Sequence, residues 1–494
     1  MSSQVFLNVF KRNWHFLVLL FVLLDSSYSY WQHLHVALDG DLAALVLPAP
    51  WYQQVLRDPL GLHVLLRHEV YAAPNRFFAH LLLSSYFKNV PLLLQRWFSP
   101  IDSVYQACAW LKIVVQVLLV YLLGVYISGH KNVLNKSFLA AVILIVPIFQ
   151  TAGFNNQMGV IDKSVTYTVF YAVPLGLLLA FFLPFYRAAF NKTPLTISAV
   201  GLGLLLLLAV VLSLNGPLVP GVVVLICPWA LWMVGRRNAV ANSNVPLYAK
   251  IRGAISSIPW AMLLCFGLIS AFCLYSLYLG QSNAENLTGG TISLLERYSR
   301  LPLGIYEQLR IKLGLPLLLL IVWLNVYLIK RQPTTPEGQR LLTVAKWLGW
   351  FALAYILLLP LGGYRPYRYY ILRRDVIIPI VLGLIYFYGI STYYLMTHLS
   401  GVYRSRYQIG VVAYLVVFMI ADKPIVSDNN ACEKEMLSKL AQAPERIVRM
   451  PDNCTIMSWS IITNQADSEV NSDLLYFWHV TKEKKLYYQQ PNTW

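Results

Sequence analysis

Charged residues are scarce in this chain. Asp, Glu, Lys and Arg make up 12% of its 494 residues, whereas apolar residues make up 57%. An ordinary soluble domain carries about 25% charged residues. The shortage excludes a typical water-soluble surface and predicts an all-α polytopic membrane protein.

Cysteine is also rare, and its placement excludes a common kind of metal site. The chain has six cysteines and no Cys-x-x-Cys motif or Cys/His cluster, so we predict no structural metal. Four cysteines fall within apolar segments, where a thiol is a small apolar side chain. Cys432 and Cys454 are the only pair in the polar tail. In an oxidising compartment these two would be suited to form a disulfide.

Long apolar segments are abundant. A helix needs about 20 apolar residues to cross a hydrocarbon core. Hydropathy predicts about 11 such helices, at 14–30, 105–127, 137–150, 166–185, 195–214, 218–234, 255–279, 315–329, 341–361, 376–396 and 409–421.

Loop charge predicts the orientation of these helices, because Lys and Arg near span ends are retained in the cytoplasm. Every other connection carries such residues, from Lys11 and Arg12 to Arg404 and Arg406. We therefore expect a multi-pass protein of the cytoplasmic (inner) membrane with its N-terminus inside and its C-terminus outside. The net charge of +17 is spread over these loops, which favours anionic lipid or phosphate ligands over nucleic acid.

Two domains follow from this layout. Residues 1–422 form the predicted transmembrane domain, and 423–494 form a small extracytoplasmic α/β domain with a helix at 433–443 and strand-forming stretches at 455–463 and 473–480. The first external loop, 31–102, contains apolar runs at 42–47, 60–66 and 77–87 that are interrupted by prolines. Such short runs are typical of helices lying in the membrane interface.

An acidic pair, Asp39 and Asp41, lies at the start of this loop, just beyond the first predicted span. Carboxylates beside a membrane are costly unless used, so one could act as a general base while the other tunes its pKa. The alternative is structural, because Asp and Gly also favour a turn that caps a helix. The carboxylates could hold a divalent cation such as Mg²⁺ or Mn²⁺, whereas the nearby His33 and His35 match no usual metal-ligand spacing.

The last external connection is rich in arginine, against the rule that orients the spans. Arg365, Arg368, Arg373 and Arg374 all lie within 362–375. Their planar groups suit phosphate oxygens, and interleaved tyrosines, including Tyr367 and Tyr369, can stack on a sugar or a lipid headgroup. The alternative is a set of arginines that snorkel beside an aromatic belt.

A third external connection contributes Asp162 and Lys163. These residues could position a second substrate. A local ion pair between them is the simpler alternative.

With these features, the chain resembles the GT-C class of polytopic membrane glycosyltransferases. The resemblance covers the whole chain as architecture, and its motifs are confined to the acidic pair Asp39 and Asp41 and to the arginine-rich loop at 365–375. The WWDYG-type signature of oligosaccharyltransferases is missing from the tail, which disfavours peptide glycosylation.

The resemblance implies a function. Members of the class transfer a sugar from a polyprenyl-phosphate-linked donor to a glycan or lipid acceptor. The donor is embedded in the membrane, so membrane lipids are also expected partners. It implies an inverting cell-envelope enzyme in which Asp39 or Asp41 is the base and Arg365, Arg368, Arg373 or Arg374 contacts the donor phosphate. Two alternatives remain open: a transporter or flippase of a lipid-linked or anionic substrate, and a polymerase or ligase of glycans.

Overall fold

The computed structural model describes residues 3–238, 253, 255–287, 292–333, 335–365, 367–423 and 429–491. This part of the chain is mostly helical. Within it, nine helices are long and apolar enough to cross a membrane. The protein is therefore a multi-pass membrane protein.

The helices of the membrane part are numbered here in chain order. They are α1 (Ser3–Leu34), α2 (Leu42–Val46), α3 (Pro50–Arg57), α4 (Leu62–Arg67), α5 (Phe77–Leu94), α6 (Pro100–Ser128), α7 (Lys136–Ile145), α8 (Asn155–Met158), α9 (Val165–Asn191), α10 (Ala199–Ser213), α11 (Leu218–Asn238), α12 (Trp260–Gln281), α13 (Ala284–Leu287), α14 (Leu294–Ser299), α15 (Leu301–Arg310), α16 (Gly314–Arg331), α17 (Pro336–Leu358), α18 (Ile378–His398) and α19 (Gly401–Ala421).

The predicted spans correspond closely to these helices. Eight of the nine long apolar helices overlap predicted spans, and the spans at 137–150 and 195–214 overlap the shorter apolar helices Lys136–Ile148 and Ala199–Ser213. The first predicted span lies inside α1. The remaining long helix, α5, corresponds to the run at 77–87 that is predicted as a short interfacial helix; it is longer than predicted, because it continues through Pro91 to Leu94.

The C-terminal unit combines helices α20 (Ala431–Gln442) and α21 (Glu469–Phe477) with strands β1 (Ile447–Pro451) and β2 (Leu486–Gln490). The strands pair in parallel, with Ile447 opposite Leu486. The unit contains the disulfide between Cys432 and Cys454.

Both predicted strand positions in this unit were wrong. Residues 455–463 form no strand, and most of 473–480 lies in α21 or just after it. Burial explains the helix: Asn471, Leu474, Leu475 and Trp478 are buried at spacings of three to four residues, which is a helical period. The aromatic and apolar composition of 473–480 suited either structure, and tertiary packing decided it.

A buried carboxylate docks the C-terminal unit onto the membrane part. Glu433 of α20 accepts hydrogen bonds from the Leu38 N–H at 2.9 Å, the Tyr105 hydroxyl at 2.7 Å and the Met457 N–H at 2.9 Å. The Trp478 indole N–H also donates to the Phe87 carbonyl at 2.8 Å. The unit therefore covers the same end of the helices as the loop that carries Asp39 and Asp41.

Candidate functional site

A cavity of about 450 Å³ opens where the first external loop (31–102), the arginine-rich loop (362–375) and the C-terminal unit meet. This volume lies within the range typical of small-molecule sites. Its wall combines acidic, basic and aromatic side chains. The lining residues are Asp41, Leu45, Tyr52, Ala73, Arg76, His80, Tyr167, Phe170, Tyr171, Glu285, Arg365, Tyr367, Arg368 and Trp459.

Asp41 provides a carboxylate on the cavity wall. It immediately precedes α2, and its Oδ1 accepts a hydrogen bond of 3.1 Å from the Trp459 indole N–H. Burial raises the pKa of Asp41, and the neighbouring Asp39 adds to this, whereas the Trp459 bond opposes it. A carboxylate with a raised pKa is a better proton acceptor.

Asp39, in contrast, is turned away from the cavity and is only 4% exposed. Its carboxylate accepts hydrogen bonds from the Ser164 hydroxyl at 2.9 Å, the Thr166 N–H at 3.1 Å and the Thr166 hydroxyl at 2.7 Å. It also accepts the Asp41 N–H at 3.2 Å. Asp39 therefore fixes the first turn of α9 and the turn that presents Asp41.

The residues that Asp39 holds lead directly into the cavity wall. Helix α9 contains a π-helical turn at Thr168–Ala172, and this turn contributes Phe170 and Tyr171 to the lining. Such turns are frequent at functional sites, because they shift side chains out of the regular helical register.

Two of the predicted arginines, Arg365 and Arg368, line the cavity. Arg365 forms an ion pair with Glu285 and donates to the Tyr367 hydroxyl at 2.9 Å. Arg368 pairs with Asp375 at 3.2 Å and donates to the Tyr167 hydroxyl at 2.8 Å. A guanidinium has five N–H donors, so neither arginine is saturated by these contacts.

Of the other predicted site residues, Tyr367 also lines the cavity, where its side chain is largely exposed. The rest lie outside the lining. Arg373 pairs with Asp375 at 3.1 Å, and Arg374 pairs with Asp162 at 3.1 Å. The ring of Tyr369 stacks on Arg300, and the Lys163 carbonyl accepts a bond from Lys112. The structure thus gives most of these side chains local partners that shape the loops around the cavity.

Several wall residues were missed by sequence reasoning, above all Glu285 and Arg76. Burial alone would raise the pKa of Glu285, but Arg76 and Arg365 outweigh it and hold the pKa below its usual range. Glu285, like Asp41, is an acidic residue just beyond a predicted span, so the feature that singled out Asp41 could also have identified Glu285. Arg76 shares the first loop, where a basic residue also departs from the orientation rule.

Trp459, His80 and Tyr52 had no usable sequence signal. His80 packs between the rings of Tyr52 and Phe170, at 5.2 and 5.3 Å. Tyr52 donates from its hydroxyl to Glu285 at 2.6 Å. These contacts join three distant parts of the chain, which no local pattern reports.

The donor set around the cavity does not suit a divalent cation. Both oxygens of Asp39 are engaged by other segments, which leaves Asp41 and Glu285 as the carboxylates of the wall, beside three arginines. Among the described residues, no group of three or more His, Cys, Asp or Glu side chains is arranged to hold a metal ion. Mg²⁺ and Mn²⁺ prefer six oxygen ligands.

The chemistry of the wall suits an anionic, partly polar ligand. The lining contains three arginines and two carboxylates, which leaves one excess positive charge. The pKa values of the two carboxylates are displaced in opposite directions: the pKa of Asp41 is raised, which suits a proton acceptor, and the pKa of Glu285 is lowered, which favours its ionised form. Aromatic rings complete the surface.

Comparison with known proteins adds no family. No protein-family model matches the chain, and no curated protein matches its sequence. The cavity is therefore the main source of evidence on function.

Proposed function

We propose that this protein is a membrane glycosyltransferase of the GT-C kind. In this proposal it moves a sugar from a polyprenyl-phosphate-linked donor to a glycan or lipid acceptor. The observation that carries the proposal is the meeting of Asp41 with Arg365 and Arg368 on one cavity wall. These residues lie more than 300 positions apart in the sequence, so their meeting is a property of the fold.

Asp41 would act as the general base. The acceptor hydroxyl oxygen attacks the anomeric carbon of the sugar while its proton passes to the Asp41 carboxylate. The bond between the anomeric carbon and the phosphate oxygen breaks at the same time. Attack opposite the leaving group inverts the configuration of that carbon.

Arg365 and Arg368 would bind the phosphate. Its negative charge increases as the bond to the sugar breaks, and the fixed guanidinium groups stabilise that charge in a partly buried site. Arg76 adds positive charge to the same wall, 5.6 Å from the centre of the Phe170 ring. Glu285 keeps Arg365 in place through their ion pair.

The proposal places this cavity on the external face of the cytoplasmic membrane. The first external loop, the arginine-rich loop and the C-terminal unit meet at the cavity, and the charge pattern of the alternate connections supports an external position for all three. A donor carried by a lipid can enter such a site from the bilayer, and the apolar helices around it provide a lipid-facing surface.

A transfer assay tests the proposal. Purified protein in lipid nanodiscs is supplied with a panel of polyprenyl-phosphate-linked sugars and an envelope-lipid extract as acceptor, and polyprenyl phosphate release is measured. Asp41→Asn removes the base without changing its size, and we expect transfer to fall by about 100-fold or more. Asp467→Asn, at an exposed carboxyl of the C-terminal unit, is the matched control and should behave as wild type.

Donor binding separates this function from its rivals. We expect Asp41→Asn to bind the donor as wild type does, whereas Arg368→Gln should bind it less tightly, because a phosphate contact is lost. Full transfer by Asp41→Asn would contradict the assignment of the base. Movement of intact donor between leaflets, without release of polyprenyl phosphate, would instead identify a flippase.

A further inference from the structure

Among the described residues of the C-terminal unit, 429–491, Trp459 is the one that lines the cavity. Its indole is 58% exposed and forms part of the lining, and its N–H donates to Asp41 Oδ1 at 3.1 Å. The Trp459 and Tyr167 ring centres are 6.0 Å apart across the same wall. Trp459 therefore contacts Asp41 through its indole N–H and Tyr167 through its ring.

Close packing at Gly40 brings this tryptophan to the acidic turn. A Cβ atom at Gly40 would lie 2.5 Å from the Trp459 backbone nitrogen and 2.7 Å from its Cδ1. Such distances are shorter than any tolerable contact, so only glycine admits the backbone of the C-terminal unit here. The glycine between Asp39 and Asp41 is thus required by docking.

The same docking is secured by Glu433 on the other side of the turn. Its carboxylate joins the Leu38 N–H, before the acidic turn, to the Met457 N–H, before Trp459. The disulfide ties the neighbouring Cys432 to Cys454, close to Met457. One buried carboxylate and one covalent bond therefore fix the segment that carries Trp459.

We propose that Trp459 is a positioning residue: the C-terminal unit presents its indole N–H to the Asp41 carboxylate, orients that carboxylate in the cavity and thereby completes the site. The role of the oriented carboxylate in transfer rests on the proposed function. The contact itself does not, since it is made by the protein alone.

Other charged and titratable groups also lie close to Asp41, so the test must distinguish their effects from that of Trp459. Asp39 lies on its own turn, Glu285 comes from α13, and Arg368 from the arginine-rich loop. Tyr52 of α3 and Tyr167 of α9 share the wall. Trp459→Phe substitutes none of these groups.

The test is the titration of Asp41 in the full-length protein in nanodiscs, without substrate. A hydrophobic carbodiimide reacts with protonated carboxyl groups, and mass spectrometry gives the extent of reaction at Asp41 against pH. Trp459→Phe keeps a ring but removes the donor. Because a hydrogen bond to the carboxylate favours ionisation, its loss should raise the labelling midpoint by about one pH unit, a tenfold change in the proton-binding constant.

Two further variants complete the experiment. Trp97→Phe changes an exposed tryptophan outside the cavity lining and should leave the midpoint unchanged. Trp459→Leu also lacks the donor at this exposed position and should raise the midpoint as Trp459→Phe does; it replaces that variant if Trp459→Phe does not fold. A wild-type midpoint in the substituted protein would overturn the proposal. Lack of transfer by wild-type protein would instead reject the proposed function and leave this titration readable.

Discussion

Asp39 and Asp41 differ so much in their surroundings that substituting one or the other should affect the stability of the fold differently. We expect Asp39→Ala to destabilise the fold, because three donors from the start of α9 lose their acceptor. The Thr166 N–H and the Ser164 and Thr166 side chains lie in a buried region that water does not readily reach. Asp41→Asn, in the cavity wall, keeps the size of its side chain and an oxygen that can accept the Trp459 bond.

The magnitude follows from the bonds lost. A hydrogen bond to a charged group contributes about 1.5–3 kcal/mol, and a buried donor left without a partner adds a desolvation cost. Bonds that share one carboxylate are not additive. We therefore expect Asp39→Ala to lower the free energy of unfolding by about 3–5 kcal/mol, and Asp41→Asn to change it by less than about 1 kcal/mol.

Unfolding by SDS in mixed micelles, followed by tryptophan fluorescence, measures both values. Asp39→Asn is an informative intermediate, because its amide keeps one acceptor oxygen and should cost about half as much as Asp39→Ala. A loss below about 1 kcal/mol for Asp39→Ala would refute the structural role of this carboxylate. Equal losses for Asp39→Ala and Asp41→Asn would refute the division of roles between the two residues.

Three further predictions concern the cavity and the C-terminal unit. Transfer should fall as pH drops through the raised pKa of Asp41, so the acid limb of a pH–rate profile should lie above the ordinary carboxyl range near pH 4. Glu285→Gln should weaken donor binding about tenfold by freeing Arg365 to move, as an isotherm with polyprenyl phosphate would show. Replacing Cys432 and Cys454 by Ser should lower the free energy of unfolding by about 2–4 kcal/mol, measured in SDS, and reduction of wild-type protein should give the same loss.

The membrane architecture could be predicted from the sequence because hydropathy is a local property. The length and apolar content of a helix depend only on consecutive residues, so most of the spans could be predicted. Helix α5 was predicted only as a short run at 77–87, because Lys88 and Pro91 interrupt its apolar pattern; both are accommodated within the helix. The strands of the C-terminal unit were misplaced because its packing against α5 and α6 decides which face is buried.

The candidate site could be predicted only in part. Asp41 and Arg365 stood out because each is a charge in an unusual place, and the fold brings them to one cavity. The same criterion could not separate Asp41 from Asp39, because the hydrogen bonds that engage Asp39 come from residues 164 and 166. Trp459 joins the wall through tertiary docking alone, which leaves no trace in the neighbouring sequence.

A cryo-EM structure of Asp41→Asn with a polyprenyl-phosphate-linked sugar would show directly how the cavity holds the donor, because this variant should leave the donor intact. We expect the phosphate within about 3 Å of an Arg365 or Arg368 nitrogen, with the anomeric carbon facing residue 41. A phosphate bound outside this cavity, or a sugar turned away from residue 41, would contradict this expectation.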